Sequence, residues 1–218
     1  MWLIAILVII VIYIIVRNDN KNTQKNESIK ETTDRAEQKG EQGEQLIIKL
    51  LGQTIPGQRY LINNLIIKDQ YGNTSQIDHI FINSNGVFVI ETKNLSGTIY
   101  GNDYRKEWTQ VFNYGKQKYH FYNPIMQNST HIRRLQEATG TNLPIKPIVV
   151  FANNNIDKID SKNVYTIEGM ICEINAYFEE RILPEEMETF YKQLCRIKET
   201  QPSDEEHVKN VQDMKKAI

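Results

Sequence analysis

The chain has 218 residues, 40% hydrophobic and 24% charged, with a formal net charge of −1. That composition is ordinary for a globular protein and excludes a disordered chain or a polycation, so any nucleic-acid site must be a local patch. Its two cysteines, Cys172 and Cys195, have neither metal-ligand spacing nor a disulfide framework and read as reduced thiols in core helices.

The chain opens on MWLIAILVIIVIYIIV, uncharged through Val16. Sixteen helical residues reach about 24 Å, somewhat short of a hydrocarbon core of about 30 Å. Trp2 and Tyr13 are interfacial residue types, and Arg17 can snorkel to the headgroups. A cleaved signal peptide needs a basic start and a small-residue cleavage site, and neither is present. The run is therefore expected to be a retained membrane helix over residues 1–17. Arg17, Lys21, Lys25 and Lys30 all follow it, which predicts a single-pass cell-membrane protein with its soluble domain on the cytoplasmic side.

Residues 18–35 are polar, without apolar periodicity, and read as a linker. A helix is predicted over 34–52, with Glu44, Ile47, Ile48 and Leu51 on one face. RYLINNLIIKD (59–69) is a strand and QYGNTS a turn. A hairpin is expected over 76–93, with further strands at 97–101 and 107–113. In NPIMQNSTHIRRLQEATG, Asn123 caps a helix, Pro124 takes its first position and Gly140 stops it. Residues 144–153 read as a buried strand and 163–167 as a short one. Helices fill 168–180 and 184–199, and the tail is a polar helix or disordered. Helix, strands, helix and strand in this order indicate an α/β or α+β sheet covered by helices.

The hairpin QIDHIFINSNGVFVIETKN (76–94) carries Asp78, Glu91 and Lys93 among long apolar side chains. Alternation puts Asp78 with Ile80 and Ile82, and Glu91 and Lys93 with Val87 and Val89. A loop of even length puts all of these on one face. A Ser84–Asn85 loop sets Asp78 opposite Glu91, whereas an Asn85–Gly86 turn sets it opposite Lys93. The other face carries Ile77, Phe81, Phe88 and Ile90, so the hairpin is expected to be central. Two carboxylates so placed repel, and a divalent cation with hard oxygen ligands relieves them. The plainer alternative is a structural Asp78–Lys93 ion pair at the sheet margin.

GEQGE (40–44), the stretch from Gln76 to Gly101, Glu107–Trp108 and NPIMQNSTHIRRL (123–135) occur in this order. Together they resemble the nuclease-related domain family, a branch of the PD-(D/E)xK nuclease superfamily, over about residues 36–152. The resemblance implies an α/β fold with a restriction-endonuclease-like α-β-β-β-α-β core and a mixed central sheet flanked by helices. Residues 153–218 would pack on or extend that domain. It also implies Mg²⁺- or Mn²⁺-dependent phosphodiester hydrolysis, with DNA as the expected substrate. Asp78, Glu91 and Lys93 match the family's D…E-x-K, Glu44 its first-helix Glu, and Gln127 the Gln of its NP-x-x-Q. Asp78, Glu91 and Glu44 would hold the metal. Glu41, one turn earlier, is the second choice for the third carboxylate.

His131 lies one turn after Gln127 and is a candidate phosphate contact. His79, on the other sheet face, reads as a packed histidine. From Lys93 to Lys146 there are eight basic residues to three acidic ones. Arg105, Lys106, Lys116, Lys118, Arg133 and Arg134 are therefore candidate nucleic-acid contacts with His131. Trp108 and the tyrosines at 100, 104, 114, 119 and 122 are core or rim residues in the ordinary case, or stacking surfaces in a nucleic-acid groove. A non-catalytic, membrane-tethered module binding nucleic acid or protein is the alternative function.

Overall fold

The computed structural model describes residues 34–176 and 182–216. The expected anchor, 1–17, and nearly all of the linker lie outside the described residues. Among the described residues no helix is long and apolar enough to cross a membrane. A boundary between two units falls between Glu41 and Gln42. Residues 34–41 of the first are helical, and residues 42–51 of the second form helix α1.

Five strands make the main sheet: β1 (Arg59–Lys68), β2 (Thr74–Asn83), β3 (Gly86–Lys93), β7 (Ile145–Phe151) and β9 (Val164–Tyr165). They lie in the order β1-β2-β3-β7-β9. The first three pair antiparallel, while β7 is parallel to β3 and β9 to β7, so the sheet is mixed. Between β3 and β7 the chain builds a second sheet from β4 (Thr98–Asn102), β5 (Glu107–Phe112) and β6 (Gln117–Tyr122), which β8 (Ile159–Asp160) later joins at the β4 edge. It then forms helix α2 (Pro124–Thr139). Strand β6 is absent from the sequence expectation. All but one of its six residues are exposed, so it shows no alternation to read.

Helices cover both faces of the main sheet. Ile80, Ile82, Val87 and Val89 pack with Leu135 of α2 and with Met187, Phe190 and Leu194 of α4 (Pro184–Glu199). Phe81, Phe88 and Ile90 pack with Ile47 and Leu51 of α1 and with Met170 and Ile174 of α3 (Ile167–Asn175). The hairpin is thus central and buried on both sides. Helix α5 (Asp204–Lys216) binds the far end of β2, where Asn210 Oδ1 accepts from Thr74 N at 2.8 Å.

One expected alternation fails. Ile77 packs with Ile80 and Ile82, not with Phe81. Its neighbour strand explains this. Asn64 in β1 has φ 52°, and the ladder between β1 and β2 skips the Asn64–Asp78 pair. A left-handed residue inside a strand breaks the two-residue period there. Both cysteines are free and lie in helices that pack on the core, as expected; Cys172 is exposed, while Cys195 is half-buried against the core cluster.

The helix signals of α2 act as expected. Asn123 Oδ1 accepts from Ile125 N at 2.9 Å, Pro124 opens the helix, and Gly140 ends it in the left-handed conformation.

Candidate active site

The β2–β3 turn is Ser84–Asn85, with Asn83 opposite Gly86. That register puts Ile82 opposite Val87 and, carried on, Asp78 opposite Glu91. The Asn85–Gly86 turn does not form, since Gly86 is the first residue of β3. Asn83 Oδ1 instead accepts from Asn85 N at 2.8 Å, and both asparagine side chains donate to Ile174 O of α3, fixing the turn.

Main-chain pairing of β2 with β3 ends at His79–Ile90. Just beyond, Asp78 Oδ2 accepts from Thr92 N at 2.8 Å. The carboxylate takes the place of a ladder carbonyl where the strands part. Glu91 is 2% exposed. Lys93 Nζ donates to Glu91 Oε1 and, at 3.2 Å, to Gln127 Oε1. The lysine's direct partner is therefore Glu91, not the Asp78 of the alternative marginal ion pair.

Glu91 is backed by a buried chain of polar groups. His131 Nε2 lies 3.3 Å from Glu91 Oε2, and His131 Nδ1 lies 2.6 Å from Ser75 Oγ. The tautomer that suits both contacts has the serine hydroxyl donating to Nδ1 and the ring proton on Nε2, facing the carboxylate. Glu91 Oε2 and His131 Nε2 face each other without the alignment of a hydrogen bond, and neither has another such partner among the described residues.

The charges settle unequally. Burial and then the Glu91 charge push the Asp78 carboxyl well above the usual range, against the pull of Lys93 and the Thr92 amide. Burial would raise Glu91 too, but Lys93 and His131 outweigh it and hold it low. Burial would lower Lys93, but Glu91 and Asp78 outweigh it and hold it charged. The acidic pair thus keeps its last proton on Asp78.

Glu44 is half-buried on α1, and its charge acts on both Asp78 and Lys93. Helix α1 reaches this end of the sheet because Gly43 is buried against Asn94, the residue after Lys93. A Cβ at 43 would stand 2.7 Å from that of Asn94. Close approach therefore accounts for the second glycine of GEQGE. Glu41 is exposed.

His79, Asn128 and Asn123 are structural supports. His79 is fully buried, with Nδ1 2.8 Å from Asn63 Oδ1. Asn128 is fully buried and donates to Val89 O of β3 and Ile148 O of β7, tying α2 to both strands. Asn123 Nδ2 donates to Asn102 O and Arg105 O, tying the start of α2 to the β4–β5 loop.

The candidate nucleic-acid contacts divide. Arg105, Lys106, Lys116 and Lys118 are exposed on the second sheet and its loops. Arg133 is exposed but paired with Glu137 at 2.8 Å, and Arg134 pairs with Asp69 at 3.1 Å. His131 is buried between Ser75 and Glu91, which removes it from a phosphate-contacting surface.

The donors here are carboxylate oxygens, and the Asp78 carboxyl is raised by burial and then by the charge of Glu91. Both features suit a hard divalent cation. Among the described residues, however, no group of three or more His, Cys, Asp or Glu is assembled as a metal cage.

The profile of the nuclease-related domain matches residues 39–152. The chain belongs to the nuclease-related domain family. This NERD domain spans α1 to β7 and contains all five candidate site residues, consistent with the PD-(D/E)xK superfamily. It is also similar to an uncharacterized protein of Bacillus anthracis, 32% identical over 165 residues, or 72% of this chain and 76% of the relative. No solved structure matches it.

Proposed function

We propose that this NERD protein is a metal-dependent nuclease that hydrolyses phosphodiester bonds, with DNA as substrate. The observation that carries the proposal is Lys93 shared between Glu91 and Gln127, with the Asp78 carboxyl pinned by Thr92 N and coupled to both charges. Asp78, Glu91 and Glu44 would hold Mg²⁺ or Mn²⁺. When bound, the cation supplies a water of lowered pKa and offsets charge developing on the phosphate. The protein's part is positioning. Thr92 N pins Asp78, and His131 backs Glu91. Gln127 fixes the Lys93 ammonium, whose remaining donors are suited to a phosphate oxygen or an attacking water. Residues 1–17 would tether the domain to the cell membrane from its cytoplasmic side, and Arg105, Lys106, Lys116 and Lys118 would contact the nucleic-acid backbone.

A second function is a tethered module that binds nucleic acid or protein without cutting. It is favoured by one observation: Lys93 already occupies one oxygen of Glu91. A calorimetric Mg²⁺ titration of the full chain separates the two. The nuclease shows uptake that Asp78→Asn abolishes, whereas absence of uptake in the wild type rejects it in favour of the binding module.

A further inference from the structure

The second sheet has one closed face and one open face. Ile99, Trp108 and Phe121 turn inward and pack with Ile125, Val149 and Phe151. Gly101 is part of that closure, because a Cβ there would lie 2.2 Å from the Trp108 ring. The register puts Tyr100, Thr109 and His120 in one cross-strand row on the other face, and Thr98, Val111 and Lys118 in the next such row. Thr109 Oγ1 lies 3.2 Å from His120 Nδ1, which holds the imidazole in place. This open face is the floor of a groove of about 430 Å³, lined by Tyr100, Arg105, Thr109, Lys118 and His120 among others, with no carboxylate in its lining.

Two further observations single the groove out. The first is charge. Arg133 and Arg134 each have a carboxylate partner. Among the described residues Arg105 and Lys118 have none, nor do their neighbours Lys106 and Lys116. The second is the aromatic floor. Exposed rings on a sheet floor stack bases, and flanking cations track a phosphate backbone. Tyr100 and His120 stand two strand spacings apart, about 9–10 Å, so an extended single strand can lay bases on both. A duplex hides its base faces and would meet only the cations.

We propose that the outer face of β4–β5–β6 is a platform for single-stranded nucleic acid, with unpaired bases stacked on Tyr100 and His120 and phosphates held by Arg105 and Lys118. This deepens the nuclease proposal and rests on it for the choice of a nucleic acid as occupant. Arg105 O is bonded by the cap residue Asn123, one helical turn before Gln127, so the platform is built onto the helix that carries a residue of the active site.

The test is fluorescence anisotropy of a labelled 15-nucleotide oligo(dT) and of a duplex of equal length, titrated with the full chain in EDTA so that nothing is cut. Tyr100→Ala and His120→Ala are expected to weaken oligo(dT) binding about tenfold each, with Tyr100→Trp restoring it. Duplex affinity should change less than twofold. Lys118→Ala should lower the slope of log K against log salt by about 0.7. All four side chains are exposed, and unchanged melting temperatures are required of every variant. Oligo(dT) binding that ignores the ring substitutions, no oligo(dT) binding by the wild type, or an equal loss for the duplex overturns the platform. Wild-type oligo(dT) binding of the expected pattern, with no cleavage of oligo(dT) or plasmid when Mg²⁺ or Mn²⁺ is added, rejects the nuclease and leaves the platform standing.

Discussion

Asp78 Oδ2 accepts the backbone N–H of Thr92 at 2.8 Å, so the β2–β3 ladder closes with a side chain where its main-chain pairing stops. The bond fixes the Asp78 carboxyl, which burial and then the Glu91 charge raise, while Lys93 holds Glu91 itself ionised. Two carboxylates and an ammonium in a buried hairpin therefore form one charge-coupled unit at the open end of the sheet.

The first prediction concerns stability against function. Replacing Asp78 with Asn keeps an acceptor for Thr92 and removes the like charge. The folded-state pKa of Asp78 is raised, so its protonated form is favoured by folding, and stability is lost as pH rises through that pKa. In EDTA, Asp78→Asn should therefore be more stable than the wild type by about 1 kcal/mol above that pKa. The advantage should vanish toward pH 4. Urea denaturation from pH 4 to 9 checks this, and a variant less stable at every pH contradicts it. The same variant should have no nuclease activity.

Ser75 is buried, and its hydroxyl lies 2.6 Å from His131 Nδ1, orienting the ring behind Glu91. Ser75→Ala should lower kcat by about tenfold or more while KM stays within about twofold, as expected for a residue acting through a ligand's support. Steady-state kinetics decide it. A change confined to KM, or none at all, would remove the serine from the site.

Asn128 is fully buried and donates to carbonyls of both β3 and β7. Asn128→Ala breaks both bonds and opens a cavity, and should cost about 2–3 kcal/mol. Chemical denaturation at neutral pH measures it. A loss below about 0.5 kcal/mol would show that the bridge adds nothing.

His79 is buried beside Asn63, and burial lowers its pKa from 6.5 to about 4, against a smaller upward pull from Glu91. Its folded pKa is depressed, so the neutral ring's contribution is present above pH 6.5 and is lost as pH falls toward 4. The loss is on the order of 3 kcal/mol over that window. Stability curves of wild type and His79→Gln should converge as the pH is lowered through it. Parallel curves would mean that His79 takes up its proton without opening the sheet.

The hairpin, its central place and the helix signals at Asn123, Pro124 and Gly140 were legible in the sequence, because alternation and capping are local. The fault at Asn64 was not, since only the fold makes an asparagine adopt a positive φ inside a strand. Strand β6 was hidden because most of its side chains face solvent. Asn128 had a readable signal: it interrupts the helical stripe Ile125, Ile132, Leu135 at a core position, where a lone amide must find buried partners. Ser75 had none, because a serine near a turn is ordinary until a histidine fifty-six residues later is packed against it.

The most direct test of the active centre is plasmid nicking by the full chain in Mg²⁺, comparing wild type with Lys93→Met, which keeps the side-chain length and deletes the ammonium shared by Glu91 and Gln127. Mg²⁺-dependent nicking is expected, stopped by EDTA and reduced by about 10²–10³-fold in Lys93→Met. Wild-type turnover in Lys93→Met, or no nicking by the wild type with either Mg²⁺ or Mn²⁺, would contradict this expectation.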